Sequence, residues 1–224
     1  MRFDFRKLAA GSLIAVLMML SSLTSASVGP DEAIRSATDN LLSVVEEARG
    51  YYDNDPERYF GEVDRIIGPL VDFTSFSRGV MGRWGSSSYY SSLPDDEARA
   101  KFREQLARFS ESFRAGLVRT YSKGLLAFSG QTIEVLPADA KEVAGGNVTV
   151  EQRIHGEADE PYVIRYKMKR GKDGSWQVRN VSLDSLNLGK VYQKQFASAA
   201  GKYNGDIDQV IDNWSVGGEN SEAQ

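Results

Sequence analysis

Few side chains here could serve as catalytic groups, and their placement argues against that use. The 224 residues contain one histidine, His155, and no cysteine. His155 falls at a predicted hairpin turn, where an imidazole is solvated, so a Ser-His-Asp arrangement is not expected. A thiol nucleophile and a disulfide are excluded, and without a Cys/His cluster a zinc site is not expected. The patterns GxxxxGK[ST] and GxGxxG are both absent, so nothing points to ATP or a dinucleotide. Asp53, Asn54 and Asp55 lack the rest of a calcium loop and read as helix capping. No catalytic residue, metal or cofactor is expected, and the chain does not read as an enzyme.

The chemistry that the residue types do support is solvation of apolar matter. Phe73, Phe76, Val80, Met81 and Trp84 recur at i, i+3, i+7, i+8 and i+11. That spacing puts them on one stripe of a helix over Val71 to Gly85. Asp72 is its expected N-cap, after the break at Gly68 and Pro69. Packing in a core would explain a stripe, but this load of aromatic bulk calls for an equally large facing surface. Gly79 and Gly82 would lie inside the same helix, where each costs about 1 kcal/mol against alanine. Their presence points to close packing or to room left for something else.

The elements that must position this stripe can be read on both sides. Asp31 to Tyr52 is expected to be helical, with Ala33, Ala37, Leu41, Leu42, Val45 and Ala48 as its apolar face. A second helix starts at the Asp55 cap and Pro56 and stops at Gly68. After the stripe, Gly85 to Ser92 reads as a polar loop carrying Tyr89 and Tyr90. The longest helix runs from Asp95 to about Tyr121, with Phe102, Leu106, Phe109, Phe113, Leu117 and Tyr121 along its inner side. Beyond Gly124 the period falls to two. Gln131 to Pro137, Asn147 to His155, Tyr162 onward and Ser175 to Leu183 give four strands. Hairpins join them, and Asp173-Gly174 is a turn signal. One face carries Val148, Val150, Ile154, Tyr162, Ile164, Tyr166, Met168, Trp176 and Val178. The basic face with Arg165, Lys167, Lys169 and Arg179 is expected to be solvated. Two closing helices carry Leu186, Leu188, Val191, Tyr192 and Phe196, then Ile207, Val210, Ile211 and Trp214.

The ends and the charge narrow the setting. Arg2, Arg6 and Lys7 precede an apolar run from Leu8 to Leu23 and small residues at Ser25 and Ala26. Residues 1–26 therefore read as a secretory signal peptide, 27–214 as one domain and 215–224 as a disordered tail. The chain carries 27 Lys+Arg and 31 Asp+Glu; without the leader's three cations and Asp4 the balance is 24 against 30. An acidic chain is a poor general binder of nucleic acid or anionic membrane. A cysteine-free secreted chain suits a bacterial periplasm. A half-open sheet with helices over its concave face can leave an apolar cavity, and a carrier of a water-insoluble ligand needs little else. Burial is worth about 0.8 kcal/mol per methylene, so a diacyl lipid represents ~20 kcal/mol of transfer energy.

These residues carry a resemblance. The run from Val71 through Arg78, Gly79, Val80, Met81 and Gly82 to Trp84 resembles the MlaC family, the toluene-tolerance auxiliary proteins of an ABC transporter. Tyr121 to Leu125, Trp176 to Val178 with Val181, and Leu188 to Phe196 extend the likeness over nearly all of the mature chain. The family pattern has Asp at Asn180, Gly at Ser185, and Asn-Tyr-Arg at Val191-Tyr192-Gln193. The resemblance implies an α+β fold of NTF2-like or cystatin-like type. A twisted antiparallel sheet would be covered by N-terminal helices, with an internal apolar cavity for phospholipid tails. It implies a monomeric periplasmic carrier that shuttles phospholipid and so maintains outer-membrane lipid asymmetry. Its partners would be an outer-membrane lipoprotein–porin complex and an inner-membrane ABC transporter, through its MCE-domain subunit. The residues expected to border the tails are Phe73, Phe76, Val80, Met81, Trp84, Leu106, Phe109, Phe113, Leu117, Tyr121, Ile164, Tyr166, Met168, Tyr192 and Phe196. An enzyme of NTF2-like shape would instead need an isolated carboxylate or Tyr on the apolar face. A non-lipid interaction protein would have a fully packed core.

Overall fold

The computed structural model describes residues 28–216. The expected signal peptide, 1–26, and residues 217–224 of the expected tail lie outside them. Helix α1 (Pro30–Ala48) packs on α2 (Pro56–Leu70), whose Asp55 cap accepts the Arg58 N–H at 3.2 Å. The second helix runs past the expected stop at Gly68. Pro69 sits in its last turn, and the turn closes with the Val71 N–H on the Ile67 carbonyl.

Asp72 then does three jobs. Its N–H donates to the Val178 carbonyl at 2.9 Å, tying the chain to the sheet. Oδ1 accepts the Ser75 N–H at 2.9 Å and caps α3 (Phe73–Met81), while Oδ2 accepts from Arg179 Nη2 at 2.9 Å. The single helix expected over Val71 to Gly85 is corrected here. Gly82 adopts φ +58° and ψ −121°, a conformation open to glycine, and the chain continues as a 3₁₀ turn, Gly82–Gly85. Arg78 Nε donates to the Gly85 carbonyl at 3.0 Å and closes that turn. The expected polar loop after it holds a short helix, α4 (Ser87–Ser92), because Ser86 Oγ accepts the Tyr89 N–H and caps it.

The thirty-residue α5 (Asp96–Leu125) crosses the molecule, capped by Asp95. A five-stranded antiparallel sheet follows in sequence order, β1 (Thr132–Val135), β2 (Asn147–His155), β3 (Tyr162–Arg170), β4 (Trp176–Leu183) and β5 (Leu186–Asn187), with α6 (Ala140–Gly145) after the first strand. The fifth strand was not expected. Leu186, assigned above to a helix stripe, pairs with Leu183 and is exposed, and α7 (Leu188–Lys202) begins two residues later under the Asn187 cap. A β-bulge corrects the simple alternation of β4. Lys167 faces Asn180 but Met168 faces Val178, which leaves Arg179 extra. The bulge turns Val181 and Leu183 to the same face as Trp176 and Val178. The α+β, NTF2-like expectation describes this arrangement.

Helix α8 (Ile207–Asp212) is clamped to α5, with Asp208 accepting from Lys101, Gln105 and Arg108, and Asp212 also meeting Arg108. The lysine above all holds the Asp208 carboxyl below the usual range. The expected disorder from Ser215 is corrected for its first two residues. Ser215 accepts from Gln195 Nε2 at 2.8 Å, and Val216 is buried at Gly116, where a Cβ would come within 2.5 Å of it.

Two predictions follow from the α3 junction. Asp72→Ala should cost about 2 kcal/mol in urea unfolding through loss of the cap and the ion pair, whereas Asp72→Asn, itself a good cap, should cost less. The two glycines should respond with opposite signs. Gly79→Ala, where a Cβ meets nothing within 4 Å, should stabilise by up to ~1 kcal/mol. Gly82→Ala should destabilise by about 1–3 kcal/mol, because the positive φ strains any side chain.

Candidate ligand cavity

The buried side chains form three packed groups. One joins α3, α5, α7 and α8 around Phe109 and Phe113; one lies between α1 and the sheet, with Ile34, Val150, Met168 and Trp176; one joins α1, α2 and the C-terminal part of α5, with Val45, Tyr59, Phe60 and Val118. A cavity of about 370 Å³ occupies the seam between them. That volume is within the usual range of small-molecule sites, about 300–1,000 Å³.

Each neighbouring element contributes a wall. Leu41 comes from α1, Val63 and Ile67 from α2, and Val71, Phe73 and Phe76 from the α3 junction. The far end of α5 supplies Leu117, Val118, Tyr121, Ser122, Gly124 and Leu125. The concave sheet face supplies Tyr162, Ile164 and Tyr166 from β3 and Val181 and Leu183 from β4, and Leu188 completes the lining. The bulge at Arg179 is what brings Val181 and Leu183 inward. Walls of this composition favour apolar contents over water.

Polar atoms here are few, and most are engaged. The Tyr166 phenol donates to Gln152 Oε1 at 2.7 Å, Gln152 Nε2 donates to Thr38 Oγ1 at 2.8 Å, and Thr38 donates to the Ile34 carbonyl at 2.8 Å. This relay satisfies a buried glutamine and pins β2 and β3 to α1. Burial pushes the Tyr166 phenol well up, so it stays neutral. Tyr121 and Tyr192 share a hydroxyl–hydroxyl bond of 2.9 Å; burial, reinforced by that bond, raises the Tyr192 phenol. Below them Tyr59 donates to the Ser122 carbonyl at 2.9 Å, and burial drives its pKa up to about 12. The Ser122 hydroxyl is buried beside the cavity without a partner among the described residues.

A family model described as MlaC protein matches residues 35–216. The chain belongs to the MlaC family. It is also 30% identical over 203 residues to the toluene tolerance protein ttg2D of Pseudomonas putida, an alignment covering 91% of this chain and 87% of that protein. Within this MlaC-family chain, six of the fifteen expected tail-contacting residues line the cavity: Phe73, Phe76, Leu117, Tyr121, Ile164 and Tyr166.

The other nine are placed elsewhere. Val80, Met81, Leu106, Phe109, Phe113, Tyr192 and Phe196 are packed into the group around α5, and Met168 lies in the sheet–α1 group. Trp84 leaves the helix at the 3₁₀ turn and packs on Phe196 with ring centroids 5.9 Å apart. The facing surface demanded by their bulk is largely protein. Phe109 stacks on Phe113 at 5.7 Å and meets Phe196 and Trp214 edge-on at 4.9 and 5.0 Å. Phe76 and Tyr192 each meet Phe113 edge-on at 5.3 Å. The sequence reading missed the α2 wall and Val181 with Leu183. Val63 and Ile67 were visible as apolar helix positions, and the broken alternation after Val178 was the signal for the bulge.

His155 is exposed at the end of β2, its Nε2 3.6 Å from Glu134 Oε2, and is not among the residues that line the cavity. Among the described residues no group of three or more His, Cys, Asp or Glu could hold a metal ion, and no helix is long and apolar enough to cross a membrane.

Wall and core should differ in stability. Phe109→Ala should cost about 3–5 kcal/mol, because it empties a packed site. Ile164→Ala, which widens a space already open, should cost less than half as much. Urea unfolding of the ligand-stripped variants measures both.

Proposed function

We propose that the protein is a periplasmic phospholipid carrier whose cavity takes acyl tails between α5 and the β3–β4 face. The observation that carries the reading is the apolar seam cavity itself, about 370 Å³, walled by three packed groups. Tails moved from a bilayer into such a space exchange one apolar surrounding for another. The transfer term of about 0.8 kcal/mol per methylene then largely cancels, and loading requires no energy source within the protein. Membership of the MlaC family and the toluene tolerance name of the Pseudomonas relative support a role in guarding a membrane against apolar solutes. In this reading the carrier exchanges phospholipid with an outer-membrane lipoprotein–porin complex and with the MCE-domain subunit of an inner-membrane ABC transporter. Outer-membrane lipid asymmetry is the outcome.

The alternative, an NTF2-like enzyme acting on a small hydrophobic molecule, finds little support in the lining. The residues around the cavity include no carboxylate, imidazole or amine, and the Tyr166 phenol is held neutral by burial and committed to Gln152. A general base would have to come from outside the cavity.

Native mass spectrometry of protein purified from a Gram-negative periplasm should show a bound phospholipid. Ile164→Trp, which fills the cavity from the sheet side, should lower that occupancy several-fold while leaving the fold intact by circular dichroism. A wild-type spectrum free of lipid, with membrane lipid supplied under gentle conditions, would overturn the carrier reading.

A further inference from the structure

A second cleft adjoins the cavity at Phe76. It measures about 270 Å³ and is lined by Gly79 of α3, Lys167 of β3, Arg179 and Asn180 of β4, and Asn187, Gly189, Lys190 and Gln193 at the start of α7. Phe76 borders both the apolar cavity and this cationic cleft.

The cleft's polar groups are arranged so that donors are left over. Asn180 Oδ1 accepts the Gly189 N–H at 3.0 Å. Asn187 Oδ1 accepts from both Asn180 Nδ2 and the Lys190 N–H, each at 3.0 Å. Gln193 Nε2 donates to the Gly79 carbonyl at 2.9 Å. The asparagine oxygens are therefore used within the fold. The ammonium groups of Lys167 and Lys190 make no ion pair or hydrogen bond among the described residues. Arg179 gives one nitrogen to Asp72, but its Nε is buried without a partner. Past Arg179 the groove continues by Lys169 to Glu142, whose carboxylate accepts the Thr149 N–H, so the surplus of positive charge is at the α7 end.

Two ammonium groups without a partner and the spare Nε of Arg179, whose charge Asp72 already meets, are set among spent acceptors and fit an anion with several acceptor oxygens. We propose that this cleft is a binding site for a phosphate-bearing anion, supplied either as a free phosphate ester or as a lipid headgroup. The site does not rest on the carrier reading, because a phosphate ester without a tail suffices to occupy it.

The test uses glycerol 3-phosphate and inorganic phosphate, titrated at low ionic strength and followed by amide NMR. Both should give saturable shifts at Gly79, Asn180 and Gly189 that weaken with salt. The Lys167→Gln/Lys190→Gln double variant should bind roughly tenfold more weakly or worse. Lys202→Gln, whose ammonium lies over the Tyr203 ring, should behave as the wild type. A second arm loads phosphatidylglycerol and reads occupancy by native mass spectrometry. If the double variant also loses lipid, and glycerol 3-phosphate competes with it, the headgroup is the source. If lipid occupancy is unchanged while glycerol 3-phosphate binding falls, the source is a free ester. Shifts spread evenly over surface lysines, or equal anion binding by the double variant, would overturn the site. Absence of any saturable shift together with unchanged lipid occupancy would overturn it as well. Absence of lipid on the wild type, by contrast, bears only on the carrier reading.

Discussion

The position of α3 against the sheet depends on one carboxylate. Asp72 caps the helix, receives the Arg179 guanidinium and, through its own N–H, is bonded to the Val178 carbonyl. Two of these contacts reach β4 at or beside its bulge. The residue that the bulge leaves over is the one whose charge the cap neutralises. Start of helix, edge of sheet and change of alternation are thus fixed together. Removing any of them would misplace Phe73 and Phe76 at one wall of the cavity or Val181 and Leu183 at the other.

Much of the architecture could be read from residue pattern alone. The caps at Asp55, Asp72 and Asp95 are short side chains before apolar runs, and each accepts the N–H expected of it. The strand pair over Asn147–His155 and Tyr162–Arg170 follows strict alternation, and its register puts Val150 opposite Tyr166. What escaped depends on contacts distant in sequence or on backbone conformation. Gly82 looked like a helix residue because glycine fits a helical spacing as well as it fits a positive φ. The Arg179 bulge shifts a period by one residue, and a strict two-residue reading passes over the three-residue step from Val178 to Val181 that marks it. Gln152 occupies an inward position on an otherwise apolar face, and it is explained by Tyr166 on the next strand together with Thr38, 114 residues away.

The candidate site was legible to a lesser degree, for a physical reason. Amphipathic stripes identify what is hidden from water but not whether protein or ligand hides it. Phe109 and Ile164 carry the same signal in sequence. In the fold Phe109 is enclosed by Phe113, Phe196 and Trp214, whereas Ile164 faces open space. The distinction is made by Tyr192 and Phe196 of α7 and by Trp214 just beyond α8, which arrive late in the chain and fill the volume beside α5. Only the space toward α2 and β3 is left unclaimed.

The cavity lies where three packed groups fall short of one another, rather than within any one of them. Its walls therefore belong to different mechanical units. A change in its width can be made by tilting one group against the next, with each keeping its own contacts, as blocks shift along a mortarless joint. What spans that joint is the Tyr121–Tyr192 hydroxyl pair together with Ile67, Val71 and Val181, each of which packs against two groups at once. In a container built in this way a change of volume falls first on the contacts at the seam, and the aromatic core beside it can stay closed.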